Sequence, residues 1–308
     1  MSAEPLQGVV LQGTGGQYDV RLADGAMRTA AMRGRLKREG GMKVAVGDDV
    51  TVEHDDAADT WTIVAILPRR SRLARRSPGN AHLERIVVTN VDQVVVVFAM
   101  VKPEPNAKML DRFLIVAETN DVAARVVINK VDLSSRGAAE ATFGSYAALG
   151  YPVHYTSTMT GDGLEELHEA LRGRVSALTG PSGVGKSSLL NGLYPGLDLR
   201  VGAISESVNK GRHTTVGARM HPLPDGGYVV DTPGLREVGL WGITARELDR
   251  CFPEFVPLLD QCRFADCRHL SEPECGVRSA VDAGTIARSR YESYVKLREE
   301  VEESERDW

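Results

Sequence analysis

Residues 180–187 read Gly180, Pro181, Ser182, Gly183, Val184, Gly185, Lys186, Ser187, with Ser188 next; the spacing is G-x-x-x-x-G-K-[ST]. Glycines at these positions let the backbone curl around phosphate oxygens, so that successive N–H groups point inward. Lys186 could reach the outer phosphates of a nucleotide, and the Ser187 hydroxyl could ligate Mg²⁺. The alternative is a chance glycine-rich turn. The context argues for the first reading. The apolar run "VSALTG" precedes the loop as a strand, and "SSLLNGLY" follows as a helix whose positive end would face the anion.

Some 45 residues on, "VVDTPG" ends a strand at Asp231 and Gly234. Asp231 is placed to hold Mg²⁺ through a water, and the Gly234 N–H to sense a γ-phosphate, so that losing the phosphate would release the loop. Between the two lies the polar stretch "NKGRHTTVG" at 209–217. A threonine there, Thr215 before Thr214, could complete the Mg²⁺ shell.

"VVINKVDL" at 126–133 supplies base chemistry. The Asp132 carboxylate can accept two parallel hydrogen bonds, from guanine N1–H and the 2-amino group. Adenine would leave it desolvated and unpaired, at a cost of about 1–3 kcal/mol, so GTP is expected over ATP. Asn129 would brace this loop and the Lys130 stem would cover the base. "YTSTMTGDGL" at 155–164 brings Ser157 and Thr158 near the guanine oxygen as a second base loop. The elements therefore run base loop, second base loop, phosphate loop, switches. That is the usual order of a GTP-binding domain, cut after the last switch and rejoined. Domain termini lie at the surface and close together, so such a permutation can keep one sheet and one site.

A third constellation is Cys262, Cys267, His269 and Cys275, spaced C-x4-C-x-H-x5-C. Four soft or borderline donors within fourteen residues suit one closed tetrahedral Zn²⁺ site of structural kind, with no position left for a reactive water. The fourth cysteine, Cys251, is expected to be apolar packing.

The elements that must position these groups divide the 308 residues into three parts. Residues 1–68 hold five short strand-like runs separated by turn residues, which predicts an all-β barrel of OB type with an SH3-like barrel as competitor. "RRSRLARRSPGN" at 69–80 reads as a basic interdomain linker, or as a set of phosphate contacts. Residues 81–244 alternate apolar runs with amphipathic segments, as an α/β domain with a largely parallel sheet does. One face of "KMLDRFLIVAETN" carries Leu110, Phe113, Leu114 and Ala117. Residues 245–308 read as a mainly helical, zinc-binding segment.

The net charge of −5 argues against a protein coated in basic charge, so any RNA contact must be local. Candidates are 32–43 and 69–76, with Arg278, Arg288, Arg290, Lys296 and Arg298. No apolar run has membrane-spanning length and the N-terminus has no secretory pattern, so a cytoplasmic protein is expected.

Together the permuted "NKVD", "GPSGVGKSS", "GRHTT" and "DTPG" motifs and the C-x4-C-x-H-x5-C module resemble the RsgA (YjeQ/YloQ) family of circularly permuted, ribosome-associated GTPases, over essentially the whole chain. The resemblance implies an OB-fold first domain and late maturation of the small (30S) ribosomal subunit. It also implies GTP hydrolysis to GDP stimulated by that subunit, and ribosomal RNA contacts through the barrel and zinc domain. One departure is Thr158, where the family usually has alanine. A monomer is expected, with no membrane or DNA partner. Leu235 stands where Ras-like enzymes place the glutamine that orients the attacking water, so slow intrinsic hydrolysis is expected. His213, ordered by the subunit, is the candidate for that role, with Lys186 and Thr215 completing the catalytic set. Gly183 replaces the asparagine of potassium-using GTPases, so no potassium dependence through this loop is expected. The rivals are a GTP-regulated RNA-binding assembly factor with incidental hydrolysis, and a small-molecule kinase, for which no acceptor-binding residues are found.

Overall fold

The computed structural model describes residues 4–34, 43–77, 80–197, 199, 218–231 and 243–306. Strands β1 (Leu6–Thr14), β2 (Gln17–Leu22), β3 (Met27–Met32), β4 (Asp49–Asp55) and β5 (Thr60–Ile66) close a barrel in the order β1-β2-β3-β5-β4. β1 runs antiparallel to β4, and β3 runs parallel to β5. This Greek-key path is that of the OB-type barrel expected from sequence. Strand alternation turns Val10, Val20, Ala30, Val50, Val52 and Ile63 inward, each with no solvent exposure.

The stretch expected as a basic linker is a hairpin instead. β6 (Arg72–Ser77) pairs antiparallel with β7 (Asn80–Thr89). Its start is bolted to the barrel. Arg69 donates to both carboxylate oxygens of Asp48, at 2.6 and 2.8 Å. Thr89 Oγ1 donates to Asp48 Oδ1 at 2.8 Å, and Asn90 Nδ2 to the Gly47 carbonyl at 2.9 Å. Gly47 has φ +91°, and a Cβ there would lie 2.2 Å from Thr89 O, so only glycine lets the two backbones meet. Arg69 and Arg70 are thus engaged with Asp48 and Asp92.

The second domain is a six-stranded sheet in the order β10 (Val153–Tyr155), β9 (Ala123–Asn129), β8 (Gln93–Ala99), β11 (Val175–Thr179), β13 (Tyr228–Asp231), β12 (Arg219–Pro222). All pairs are parallel except β12–β13. Every residue of β8 is buried, as in a strand covered on both faces. Val94, Val96 and Phe98 join the core beneath α1 (Ala107–Thr119) and α2 (Arg136–Ala148). Val95, Val97 and Ala99 join the core beneath α3 (Leu164–Leu171) and α4 (Lys186–Leu193). Leu110, Phe113, Leu114 and Ala117 are buried on α1, as their spacing predicts.

The C-terminal part consists of 3₁₀ turns at Leu248–Cys251 and Val256–Gln261, then α5 (Gly276–Asp282) and α6 (Arg288–Arg306). Phe252, Phe255 and Tyr294 form its aromatic core, and Cys251 is buried as expected. α6 lies along α1. Arg290 Nη1 donates to Asp111 Oδ1 at 2.6 Å and Nε to Glu254 Oε1 at 2.7 Å, while Tyr146 Oη donates to the same Asp111 oxygen at 2.7 Å. Arg290 and Arg298, expected from sequence as RNA contacts, are 5% and 7% exposed. They sit on the core side of α6, and Arg298 donates to the Ala245 carbonyl at 2.6 Å.

Candidate functional site

The carboxyl ends of β8, β9, β10, β11 and β13 open on one edge of the sheet. β11 sits between β8 and β13, where the strand order reverses, and such a switch point leaves a crevice for ligands. Three expected loops meet there. Residues 180–185 follow β11, residues 129–132 follow β9, and residues 156–163 follow β10.

The phosphate loop depends on its glycines. Gly180 has φ +130°, and a Cβ there would lie 2.0 Å from Val97 O. Gly185 has φ +94°, and a Cβ would lie 2.6 Å from Asn129 Nδ2. That closeness reflects hydrogen bonding: Asn129 Nδ2 donates to Val184 O at 2.9 Å, and Asn129 Oδ1 accepts from Thr156 Oγ1 at 3.2 Å. Lys130, with φ +61°, donates to Gly183 O and to Lys102 O, each at 2.6 Å. Its stem therefore spans from the base loop to the phosphate loop. Lys186 is buried at the start of α4 and donates to Gly180 O at 2.8 Å and Pro181 O at 2.7 Å. The Ser187 side chain is buried beside it, Ser188 is half-buried, and Ser182 and Gly183 face solvent.

At the base end, Ser157 Oγ donates to Asp132 Oδ1 at 2.6 Å, and its own oxygen accepts from the N–H groups of Met159 and Thr160, each at 3.2 Å. Thr158 is half-buried next to it. Asp231 ends β13 opposite Leu178 of β11, one residue short of the strand end that feeds the phosphate loop. The structure thus brings Asn129, Lys130, Asp132, Ser157, Thr158, residues 180–188 and Asp231 to one edge of the sheet. His213, Thr214, Thr215, Gly234 and Leu235 lie outside the described residues. Sequence reasoning missed Thr156, which orients Asn129, and Lys102, whose carbonyl anchors Lys130. Thr156 lay inside a quoted motif, whereas nothing around Lys102 marks it.

The second constellation also assembles. The donor atoms of Cys262, Cys267, His269 and Cys275 all lie within 4.8 Å of one another. Cys262 Sγ is 3.9 Å from Cys275 Sγ and 3.6 Å from His269 Nδ1, and His269 Nδ1 is 3.3 Å from Cys275 Sγ. Zn–S bonds near 2.3 Å and Zn–N bonds near 2.1 Å give a tetrahedron with edges of about 3.5–3.8 Å, so the donors fit that ion. The outer shell fits as well. His269 Nε2 stands 3.3 Å from Asp249 Oδ2, and Asp249 was not legible from spacing. Burial pushes the Cys267 thiol up to about 12, and a bound cation would favour the thiolate over that burial cost. Tyr291 and Tyr294 of α6 donate to the carbonyls of His269 and Arg268, at 2.7 and 2.9 Å. The Glu272 carboxylate accepts the N–H groups of Arg268, Leu270 and Ser271. Burial alone would raise its pKa, but these backbone donors outweigh it and hold the group down at about 2.

Comparison with known proteins gives a consistent set of relatives. The model of the RsgA GTPase domain matches residues 66–241, and that of the RsgA N-terminal domain matches residues 7–62. The chain is 60% identical over 297 residues to the small ribosomal subunit biogenesis GTPase RsgA of Gemmatimonas aurantiaca, covering 96% of this chain and 97% of that protein. It is 40% identical to the protein of the same name from Caldanaerobacter subterraneus subsp. tengcongensis, covering 98% of each. Among solved structures it superposes on YjeQ from Thermotoga maritima with a TM-score of 0.80 at 38% identity, covering 96% of this chain and 98% of that one. For the circularly permuted GTPase YloQ the TM-score is 0.75 at 29% identity, with 97% and 96% covered.

Proposed function

This chain belongs to the RsgA GTPase family, and from that premise we propose that it binds the small (30S) ribosomal subunit and acts in its late maturation, hydrolysing GTP to GDP and phosphate with stimulation by the subunit. The observation that carries the GTP-binding half is the bond between Asn129 and Val184, 55 residues apart in the chain. It joins a guanine-reading loop to a phosphate loop that the permuted sequence separates.

In this reading Asp132 takes the base N1–H and 2-amino group, Ser157 and Thr158 line its carbonyl side, and Lys130 covers its face. Residues 182–185 and Ser188 present backbone N–H groups to the phosphates, Gly180 and Pro181 shape the start of the loop, and Lys186 leaves its own loop carbonyls for the outer phosphate oxygens. Ser187, Thr215 and Asp231 are the residues that would hold Mg²⁺, with Thr214 and Gly234 on the switches. Bound there, the ion supplies charge neutralisation between the phosphates. Lys186 and Thr215 stabilise developing charge, and His213 positions the attacking water, the place that Leu235 cannot fill. The Cys262, Cys267, His269 and Cys275 site holds one structural Zn²⁺.

We further read the chain as a barrel over 1–68, a GTPase domain over 81–244 and a zinc domain over 245–308. Its partners are the small subunit and its ribosomal RNA, without DNA or membrane, and it acts as a cytoplasmic monomer. No helix among the described residues is long and apolar enough to cross a membrane.

Steady-state GTP turnover with and without purified small subunits tests the proposal, together with co-sedimentation in GDP and in a non-hydrolysable GTP analogue. Stimulated turnover is expected. Subunit binding without stimulation would favour the RNA-binding assembly factor instead. His213→Ala separates the catalytic assignment: unchanged stimulated turnover with intact GTP binding would remove His213 from it.

A further inference from the structure

A second polar cluster lies on the face of the sheet covered by α3 and α4, and the nucleotide chemistry leaves it unused. Glu165, His168 and Glu169 occupy one side of α3 at i, i+3, i+4 spacing, and their donor atoms lie within 4.8 Å of one another. Opposite them, the β12–β13 turn presents Asp225. Its Oδ2 stands 3.0 Å from His168 Nε2. Both Asp225 oxygens are buried, yet neither has a hydrogen-bond partner, so the short approach is not an aligned N–H···O bond. A nitrogen and an oxygen 3.0 Å apart are also spaced as two donors on one cation are.

The third wall is Tyr194, the residue that caps the C-terminus of α4. It is 3% exposed, its ring centroid lies 5.0 Å from the His168 imidazole, and its hydroxyl is buried without a partner. Burial raises the pKa of this phenol, and the carboxylates of Asp225 and Glu169 raise it further, so the hydroxyl remains a donor facing acidic groups. Buried oxygens on two separate elements that lack an aligned hydrogen bond need an explanation, and a bound ion supplies one. The turn that carries Asp225 is fixed: the Gly173 N–H donates to Gly226 O at 3.1 Å, and a Cβ on Gly227 would lie 2.5 Å from the Arg174 backbone.

We infer that His168 and Asp225, completed by Glu165 and Glu169 swinging in from solvent, form a second divalent-metal site for a first-row transition ion such as Zn²⁺. One imidazole with carboxylates suits such ions, whereas Mg²⁺ favours an all-oxygen, largely hydrated shell. The Tyr194 hydroxyl donates to a ligating carboxylate. The ion ties the β12–β13 turn to α3 and to the far end of the helix that begins at Lys186.

The test uses the full-length protein with its cysteine cluster already loaded with one equivalent of zinc. Calorimetric titration with further Zn²⁺ is expected to show a second equivalent, and Mg²⁺ is expected not to displace it. Cobalt at this site is expected to give ligand-field bands without the thiolate charge-transfer absorption that the cysteine cluster produces. His168→Gln and Asp225→Asn should each weaken the second equivalent at least about tenfold and leave the first unchanged. Glu165→Gln with Glu169→Gln, both on exposed positions, gives the same readout should either of those variants misfold. Absence of a second equivalent at millimolar Zn²⁺ would reduce the cluster to a His168–Asp225 ion pair. Undiminished uptake in all variants would place the ion elsewhere; either result overturns the site.

Discussion

The Ser157 hydroxyl donates to Asp132 Oδ1 at 2.6 Å, across 25 residues of chain. The bond fixes one carboxylate oxygen of the residue proposed to read the base. Asp132→Asn should therefore weaken GTP binding by about 1–3 kcal/mol, roughly 5- to 150-fold, because an amide offers only one acceptor to two guanine donors. The same variant should gain affinity for the xanthine nucleotide, whose C2 carbonyl accepts from the new amide. Competition binding with GTP, ATP and XTP checks both parts. Ser157→Ala should cost about 1 kcal/mol without changing the base preference.

Gly185→Ala tests the contact between the two loops. A methyl at φ +94° would lie 2.6 Å from Asn129 Nδ2, so the backbone must strain or Asn129 must leave Val184. A stability loss of about 1–3 kcal/mol is expected, with GTP binding falling further than stability. Denaturant midpoints and fluorescent-nucleotide titration separate the two effects.

Arg290→Ala would leave Asp111 and Glu254 as buried, unpaired carboxylates. A loss of about 3–5 kcal/mol is expected. Arg290→Met combined with Asp111→Asn and Glu254→Gln should recover most of it, because the uncompensated charge goes with the cation. Urea unfolding of the set checks the order.

Removing zinc with a chelator should unfold the segment that carries Cys262 and Cys275, since its small aromatic core packs against the proposed ligand His269. Asp249→Asn should weaken zinc about 10- to 100-fold by loosening the His269 ring. Competition with a chromophoric chelator measures this.

His154 predicts a pH effect. It is 4% exposed, and its Nε2 lies 2.6 Å from Arg125 Nη1. Burial first, and then Arg125, depress its pKa below 6.5. Between the depressed folded value and 6.5 the unfolded chain binds more protons, so stability falls as pH drops through 6.5. His154→Gln should flatten that fall while leaving the curve above pH 6.5 parallel to wild type. Thermal melts across pH 5–8 decide it.

That the three loops meet and the four cysteine and histidine donors converge could be read in advance, because the expected chemistry leaves few options. A phosphate cradle needs glycine at set steps, guanine needs a carboxylate, and zinc needs four close donors. The barrel was legible from two-residue alternation, and β8 from its unbroken apolar run. The β6–β7 hairpin was not, because "RRSRLARRSPGN" offers only Leu73 and Ala74 to a core, and charge around a Pro-Gly pair imitates a tether. Arg290 was misread for a related reason. Its partner Asp111 lies 179 residues away, and a lone arginine in a sequence carries no sign of being buried. Thr156, Lys102 and Asp249 act through backbone or outer-shell contacts that no motif spacing encodes.

The close meeting of Gly47 with Thr89 has a mechanical consequence. Three residues past Asn90 begins β8, and the other end of that strand touches both loops, through Val97 against Gly180 and through the Met100 N–H on Asn129 O at 2.9 Å. The barrel is therefore mounted as a lever and not hung as a pendant. Torque applied at its rim by a large docking surface would be passed along this seam toward the loops proposed to hold phosphate and base.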